Sequence, residues 1–143
     1  MASTINSIPL LSITTLLADY DQWLAFLKTS QRTSRRYERQ LTKIGKRYPY
    51  LASLSDYLRS CMRQRSQFFG RLAVLLSEKA DKLRNEPTND VLIQRLTQAH
   101  PTMQQVISQM KQAFADLTES YRTLPVPVVA ADTLSLMPPI SLQ

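Results

Sequence analysis

Hydrophobic residues recur at alternating spacings of three and four along most of the chain. The first run of this pattern extends from Ile13 to Tyr48, and between them it includes Leu16, Tyr20, Trp23, Leu27, Tyr37, Leu41 and Ile44. Side chains at this spacing lie along one face of an α-helix, so the pattern predicts a first helix over residues 10–47. Ser30 and Ser34 occupy two places in the same stripe, where a core normally has bulky side chains. We expect a bend or a closely packed neighbouring helix at that point.

Two further segments show helical periodicity. The second has a broad apolar face, made of Leu54, Leu58, Cys61, Met62, Phe68, Phe69, Leu72, Leu75, Leu76, Ala80 and Leu83. A face of this width predicts a helix over residues 53–84 that packs between two others. The third has a narrower stripe, made of Leu92, Leu96, Ala99, Met103, Ile107, Met110, Phe114, Leu117, Tyr121 and Leu124. It predicts a helix over residues 89–124.

Pro101 lies inside the third pattern. Because the apolar positions stay in phase on both sides of it, we favour one kinked helix, and a restart at Pro101 is the alternative. The predicted fold class is therefore all-α: an antiparallel bundle of three long helices, or four if Pro101 breaks the third, over residues 10–124. Residues 1–9 are predicted to form a flexible leader. Residues 125–143 form a Pro-rich apolar tail, expected to lie extended against the bundle or to insert into another subunit.

Positive charge is concentrated in the middle of the sequence. The 143-residue chain has a formal net charge of +7, whereas residues 28–71 alone hold twelve basic and two acidic side chains, a net +10. On a helical projection, the cations of the first helix fall within an arc of about 120°, opposite its apolar stripe. The predicted basic contact stripe consists of Lys28, Arg32, Arg35, Arg36, Arg39, Lys43, Lys46 and Arg47, joined by Arg59 and Arg63 of the second helix.

Three interpretations of this stripe stay open. It is a contact for nucleic-acid phosphates, a docking surface for an acidic protein, or a solvated helix face. An anionic membrane is less favoured, because the arc faces away from large apolar side chains that could insert. Stacking on nucleic-acid bases would use tyrosines 37, 48, 50 and 57, although the first two also belong to the apolar stripe.

Large apolar side chains provide the second set of candidate contacts. They are predicted either to fill the core or to dock a partner, and they are Trp23, Leu27, Phe68, Phe69, Leu72, Met110, Phe114 and Leu117. Together with the apolar termini, they indicate more apolar surface than one small bundle can cover.

The residues that carry catalytic chemistry are scarce. The chain has one cysteine, Cys61, and one histidine, His100, so it cannot build a zinc site from those ligands alone. It has no Gly-rich phosphate loop and none of the common nucleophile or metal motifs. We therefore expect no catalytic residue, cofactor, metal or small-molecule substrate, and no enzymatic activity.

The N-terminal region bears on location. It lacks the positive start of a secretory signal, and Asp19 and Asp21 interrupt its most apolar window, so no transmembrane helix is expected. A soluble, cytoplasmic protein is predicted. The Ser- and Thr-rich start loosely resembles the leaders of type III secreted proteins, so export by a specialised system stays open.

These observations favour a non-enzymatic adaptor or assembly subunit. It would dock onto protein partners or further copies of itself through its heptad faces and apolar termini. The alternative is a basic helical-bundle accessory protein that binds RNA or DNA phosphates through residues 28–71.

Overall fold

The computed structural model describes residues 9–127, and these form three long helices with no strand among them. Helix α1 is Ile13–Arg47, α2 is Ala52–Asn85 and α3 is Asp90–Arg122. A 3₁₀ turn at Pro49–Leu51 joins α1 to α2, and residues 86–89 join α2 to α3. Because both connections are short, successive helices run antiparallel. The predicted all-α bundle of three helices is confirmed.

The ends of α1 follow from local hydrogen bonding. The helix begins three residues later than predicted, because the Ser12 hydroxyl caps it and accepts a hydrogen bond from the Thr15 N–H at 3.0 Å. It ends at Arg47, as predicted. Pro49 has no N–H to continue the helix and opens the 3₁₀ turn instead.

The other helix ends lie within two residues of the predicted ones. Helix α2 is one residue longer at each end. Helix α3 begins after Asn89, whose side-chain oxygen accepts a hydrogen bond from the Leu92 N–H at 3.0 Å. Helix α3 ends at Arg122, and the non-helical residues that follow place Leu124 and Val126 in the core. The rest of the predicted tail, residues 128–143, lies outside the described residues, as does most of the predicted leader.

Pro101 lies within α3 without ending it. The alternative of four helices is therefore wrong. The proline removes the N–H that would have bonded to the carbonyl of Thr97, one turn earlier, and its own side chain is exposed. The hydroxyl of the buried Thr97 accepts a hydrogen bond from the Leu11 N–H at 3.2 Å, which ties the residues before α1 to α3.

The core consists of two hydrophobic clusters, one toward each end of the bundle. The first contains Leu16, Tyr20, Trp23, Leu27, Phe69, Leu72, Ala73, Leu76, Ala80, Leu83, Ile93, Leu96, Ile107 and Met110. The second contains Tyr37, Leu41, Ile44, Leu51, Leu58, Met62, Tyr121, Leu124 and Val126. The apolar stripe of α1 thus faces inward along nearly the whole helix.

Small side chains separate the two clusters. Ser30, Ser34 and Ser66 are buried at this level, and Gln31 of α1 donates a hydrogen bond from Nε2 to the Ser66 carbonyl at 3.1 Å. A Cβ atom on Gly70 would lie 2.6 Å from that same nitrogen. The glycine therefore leaves space for Gln31 to reach across to α2. A close approach over small residues, one of the two expectations for Ser30 and Ser34, matches this arrangement.

We predict that the effect of Gly70→Ala on stability depends on Gln31. Alanine favours the helix by about 1 kcal/mol, but its methyl group displaces the Gln31 amide and removes a hydrogen bond of about 1 kcal/mol. The free energy of unfolding, measured with urea, should change little in the parent chain. In a Gln31→Ala background the same substitution should stabilise by about 1 kcal/mol. An equal effect in both backgrounds would contradict the contact between Gln31 and α2.

Candidate functional site

The ten predicted contact residues lie on one side of the bundle, which we call the basic face. The eight cations of α1 are all exposed, as is Arg63, while Arg59 is partly buried. Their common side follows from the apolar stripe of α1, which occupies the inward direction and leaves the cations pointing to solvent. Arg59 and Arg63 extend the face onto α2, since both reach side chains of α1.

The two acidic residues within this region are both engaged by arginines of α2. Glu38 accepts a hydrogen bond from Arg63 Nε at 3.2 Å, and Asp56 accepts one from Arg59 Nη2 at 3.0 Å. Arg59 also donates to the Thr42 hydroxyl at 3.1 Å. By contrast, the α1 cations from Lys28 to Lys46 form no ion pair with any residue in the range 9–127. The seven cations from Lys28 to Lys46 are therefore left for solvent or a partner.

The four tyrosines considered for base stacking differ in exposure, and Tyr48 is partly buried. Tyr37 is 1% exposed and stacks on Tyr121, with ring centroids 4.3 Å apart. Burial raises the pKa of both phenols above the usual value for tyrosine. Tyr37 is therefore a core residue and cannot stack on a nucleic-acid base, whereas Tyr50 and Tyr57 are exposed.

Most of the predicted apolar candidates belong to the interior. Trp23, Leu27, Phe69, Leu72 and Met110 are buried, and Phe114 and Leu117 are partly buried. Phe68 differs, with 40% of its surface exposed. It lies on the same side of α2 as four other residues, and we call the set the α2 ridge: Leu54, Tyr57, Cys61, Phe68 and Leu75.

Sequence reasoning missed a polar contact that joins α1 to α3. Nε2 of His100 lies 2.7 Å from Oδ2 of Asp19, and the imidazole packs against the Trp23 ring at a centroid distance of 5.2 Å. Nothing in the spacing of these residues signals the contact, because 81 positions separate Asp19 from His100.

A cleft between α1 and α3 was also missed. It has a volume of about 590 Å³ and contains both aromatic and hydroxyl side chains. The signal for it was present in the sequence, because Ser30 and Ser34 interrupt the stripe at the same level of the bundle. The sequence shows the gap in the stripe, however, but it does not show which neighbouring helix leaves that gap unfilled.

No three His, Cys, Asp or Glu side chains within residues 9–127 lie close enough together to hold a metal ion. None of the helices in that range combines the length and apolar character that a bilayer span requires. Comparison with protein-family models, curated proteins and solved structures gives no match.

We predict that the basic face lowers the stability of the isolated chain. Arg35 and Arg39 lie one helical turn apart, and like charges at this spacing repel by a few tenths of a kcal/mol. Replacing both with glutamine should raise the melting temperature at low salt, and the gain should shrink at about 1 M salt, where charges are screened.

Arg63→Gln is the matched control, because it removes one charge from the same face but also breaks the pair with Glu38, whose side chain is only 17% exposed. That substitution should lower the melting temperature. If the double variant and Arg63→Gln shift the melting temperature in the same direction, the described pattern of ion pairing is wrong.

Proposed function

We propose that this chain is a non-enzymatic accessory protein that holds nucleic-acid phosphates along its basic face. The proposal rests on one observation above all: the α1 cations from Lys28 to Lys46 form an exposed row with no acidic partner among residues 9–127. Guanidinium groups supply several of these charges, and they suit phosphate because they offer two parallel N–H donors.

The length of the row fits a polyanion. Lys28 and Lys46 are 18 residues apart in one helix, which corresponds to about 27 Å at 1.5 Å per residue. Double-stranded DNA carries one negative charge per ~1.7 Å of its axis, so a row of this length passes many phosphates. Release of condensed counterions would then drive binding, without any base being read.

The absence of an apolar anchor favours a nucleic acid over an acidic protein at this face. Protein interfaces draw most of their binding energy from a few large side chains buried at the centre. Among residues 9–127, the exposed large hydrophobics are Leu10, Tyr50, Leu54, Tyr57, Phe68, Val74, Leu75 and Val91. None of these belongs to α1, so charge alone is available along the row of cations.

We predict that the triple variant Arg35→Gln, Arg36→Gln, Arg39→Gln binds duplex DNA or RNA more weakly than the parent. If each arginine neutralises one phosphate, the slope of log affinity against log salt should fall by about 2.7 in magnitude. Fluorescence anisotropy with a labelled duplex, titrated between about 0.05 and 0.2 M salt, measures both quantities.

The control is the triple variant Lys79→Gln, Lys82→Gln, Arg95→Gln, which also removes three positive charges. These three residues lack ion pairs as well, but they lie outside the basic face. The control should keep most of the salt slope. If the two triple variants bind alike, total charge rather than the basic face is responsible. If the first variant binds as tightly as the parent, the proposal fails.

The exposed α2 ridge supports a second candidate function, assembly with a second copy of this chain. In an antiparallel pairing of two α2 helices centred between residues 64 and 65, Leu54 would face Leu75 and Cys61 would face Phe68. Four of the five ridge residues would therefore pair with one another, as a two-fold symmetric interface requires. This candidate corresponds to the adaptor or assembly role expected from the sequence.

We predict that Phe68→Asp makes the chain monomeric if this assembly occurs. Light scattering of the parent should show a mass that rises with concentration and persists in high salt, since burial of apolar surface is not screened. Val74→Asp is the matched control, because Val74 is 59% exposed but lies on another side of α2. A parent chain that stays monomeric at all concentrations excludes self-assembly.

A further inference from the structure

The cleft between α1 and α3 lies beside the layer of small residues. Ser30 and Thr33 line it from α1, where bulky side chains would have filled the space, and Ala115 and Thr118 line it from α3. Its volume, about 590 Å³, is within the usual range of small-molecule sites. The cleft lies on a different side of α1 from the cations of the basic face.

Two partly buried aromatic rings form the apolar part of the cleft, and the core holds both of them in position. Phe26 and Phe114 both pack edge-on against the buried Phe69, with centroid distances of 5.9 and 5.5 Å. Tyr37 also borders the cleft, but it is almost wholly buried in its stack on Tyr121 and offers little surface to an occupant. Because Phe26 and Phe114 are held from behind, their cleft-facing surfaces are preorganised for a flat apolar group.

Hydroxyl groups on the cleft wall have no partner within the described residues. Ser30 lines the cleft, and its hydroxyl makes no hydrogen bond with residues 9–127. Unlike the buried and unpartnered hydroxyls of Ser34, Ser55 and Tyr121, this hydroxyl is open to the cleft, so it is available to a hydrogen-bonding atom of an occupant. Thr29, Thr33 and Thr118 add further hydroxyls to the same walls.

The charges at the cleft leave one cation unneutralised. Glu119 binds Arg122 through both carboxylate oxygens, each at 2.7 Å from Nη2, so this pair contributes no net charge. Lys111 makes no ion pair within residues 9–127, and its ammonium lies 5.4 Å from the centre of the Phe26 ring. A cation beside an aromatic wall is suited to a ligand that joins a flat apolar body to an acidic group.

We propose that this cleft binds a small molecule with a flat, aromatic or similarly apolar body and a single acidic group. The body lies against Phe26 and Phe114, the acid pairs with Lys111, and the hydroxyl of Ser30 bonds to a polar atom of the body. This site is independent of the basic face, so either can exist without the other.

Two fluorescent probes that differ only in charge test the proposal on the full chain. Anilinonaphthalenesulfonate has the flat body and one acid, and phenylnaphthylamine has the same rings without the acid. Thr118→Phe fills the cleft with a ring and should weaken the binding of both probes by about tenfold or more, because the space for the flat body is lost. Lys111→Met should weaken only the anionic probe, by about threefold, the usual strength of an exposed ion pair.

Two matched variants separate the cleft from other apolar surfaces. Thr102→Phe adds the same ring to an exposed position of α3 outside the cleft, and Phe68→Ser removes an exposed aromatic side chain of the α2 ridge. Neither should change the affinity for the two probes. Circular dichroism checks that each variant is folded, and Ala115→Leu replaces Thr118→Phe as the cleft-filling variant if the latter unfolds.

Each outcome decides the proposal. If the cleft-filling variant is folded and binds both probes like the parent, or if the parent binds neither probe, the site is excluded. If Phe68→Ser abolishes binding, the probes occupy the α2 ridge and the site is likewise excluded. If Lys111→Met weakens both probes equally, the proposed pairing of Lys111 with an acidic group of the ligand is excluded.

Discussion

The close approach of α1 and α2 over small side chains is the constraint on which the rest of the structure depends. At this level Gly70 leaves room for the Gln31 amide to reach the α2 backbone at Ser66, and Ser30, Ser34 and Ser66 are all buried. Larger residues at these positions would push the helices apart and break the alignment of the two hydrophobic clusters. The same small residues leave α3 without side chains to pack against on its α1 side, so the cleft is a direct consequence of the close approach.

The packing of α1 also explains why its positive charge is so exposed. Its apolar stripe is narrow and is buried almost completely, so every cation falls on the remaining surface. The nearby acids do not offset this charge, since Glu38 holds Arg63 between the helices and Asp56 pairs within α2. Folding gains nothing from a row of like charges that repel one another. A polyanion that neutralises them would gain the repulsion energy as well as the direct contacts.

Much of the fold was predictable because its signals are local or periodic. The stripe of α1 gave the buried face, and the unbroken phase around Pro101 favoured one helix over two. Helix ends were less accurate because single hydrogen bonds set them, as the Ser12 and Asn89 caps show. The broad face of α2 concealed the difference between buried Phe69 and exposed Phe68. The contact between Asp19 and His100 had no signal at all, since it depends on which helices become neighbours.

The basic face and the α2 ridge occupy opposite sides of α2, and this arrangement links the two proposed functions. Arg59 and Arg63 reach toward α1, whereas Tyr57 and Cys61 border a groove formed with α3. A dimer paired through the ridge would therefore leave both basic faces exposed and directed away from each other. Two connected faces bind one long polyanion more tightly than either does alone, provided that the polyanion spans the distance between them. Assembly and phosphate binding would then reinforce each other, and the stability lost to charge repulsion in one chain would be recovered in the complex.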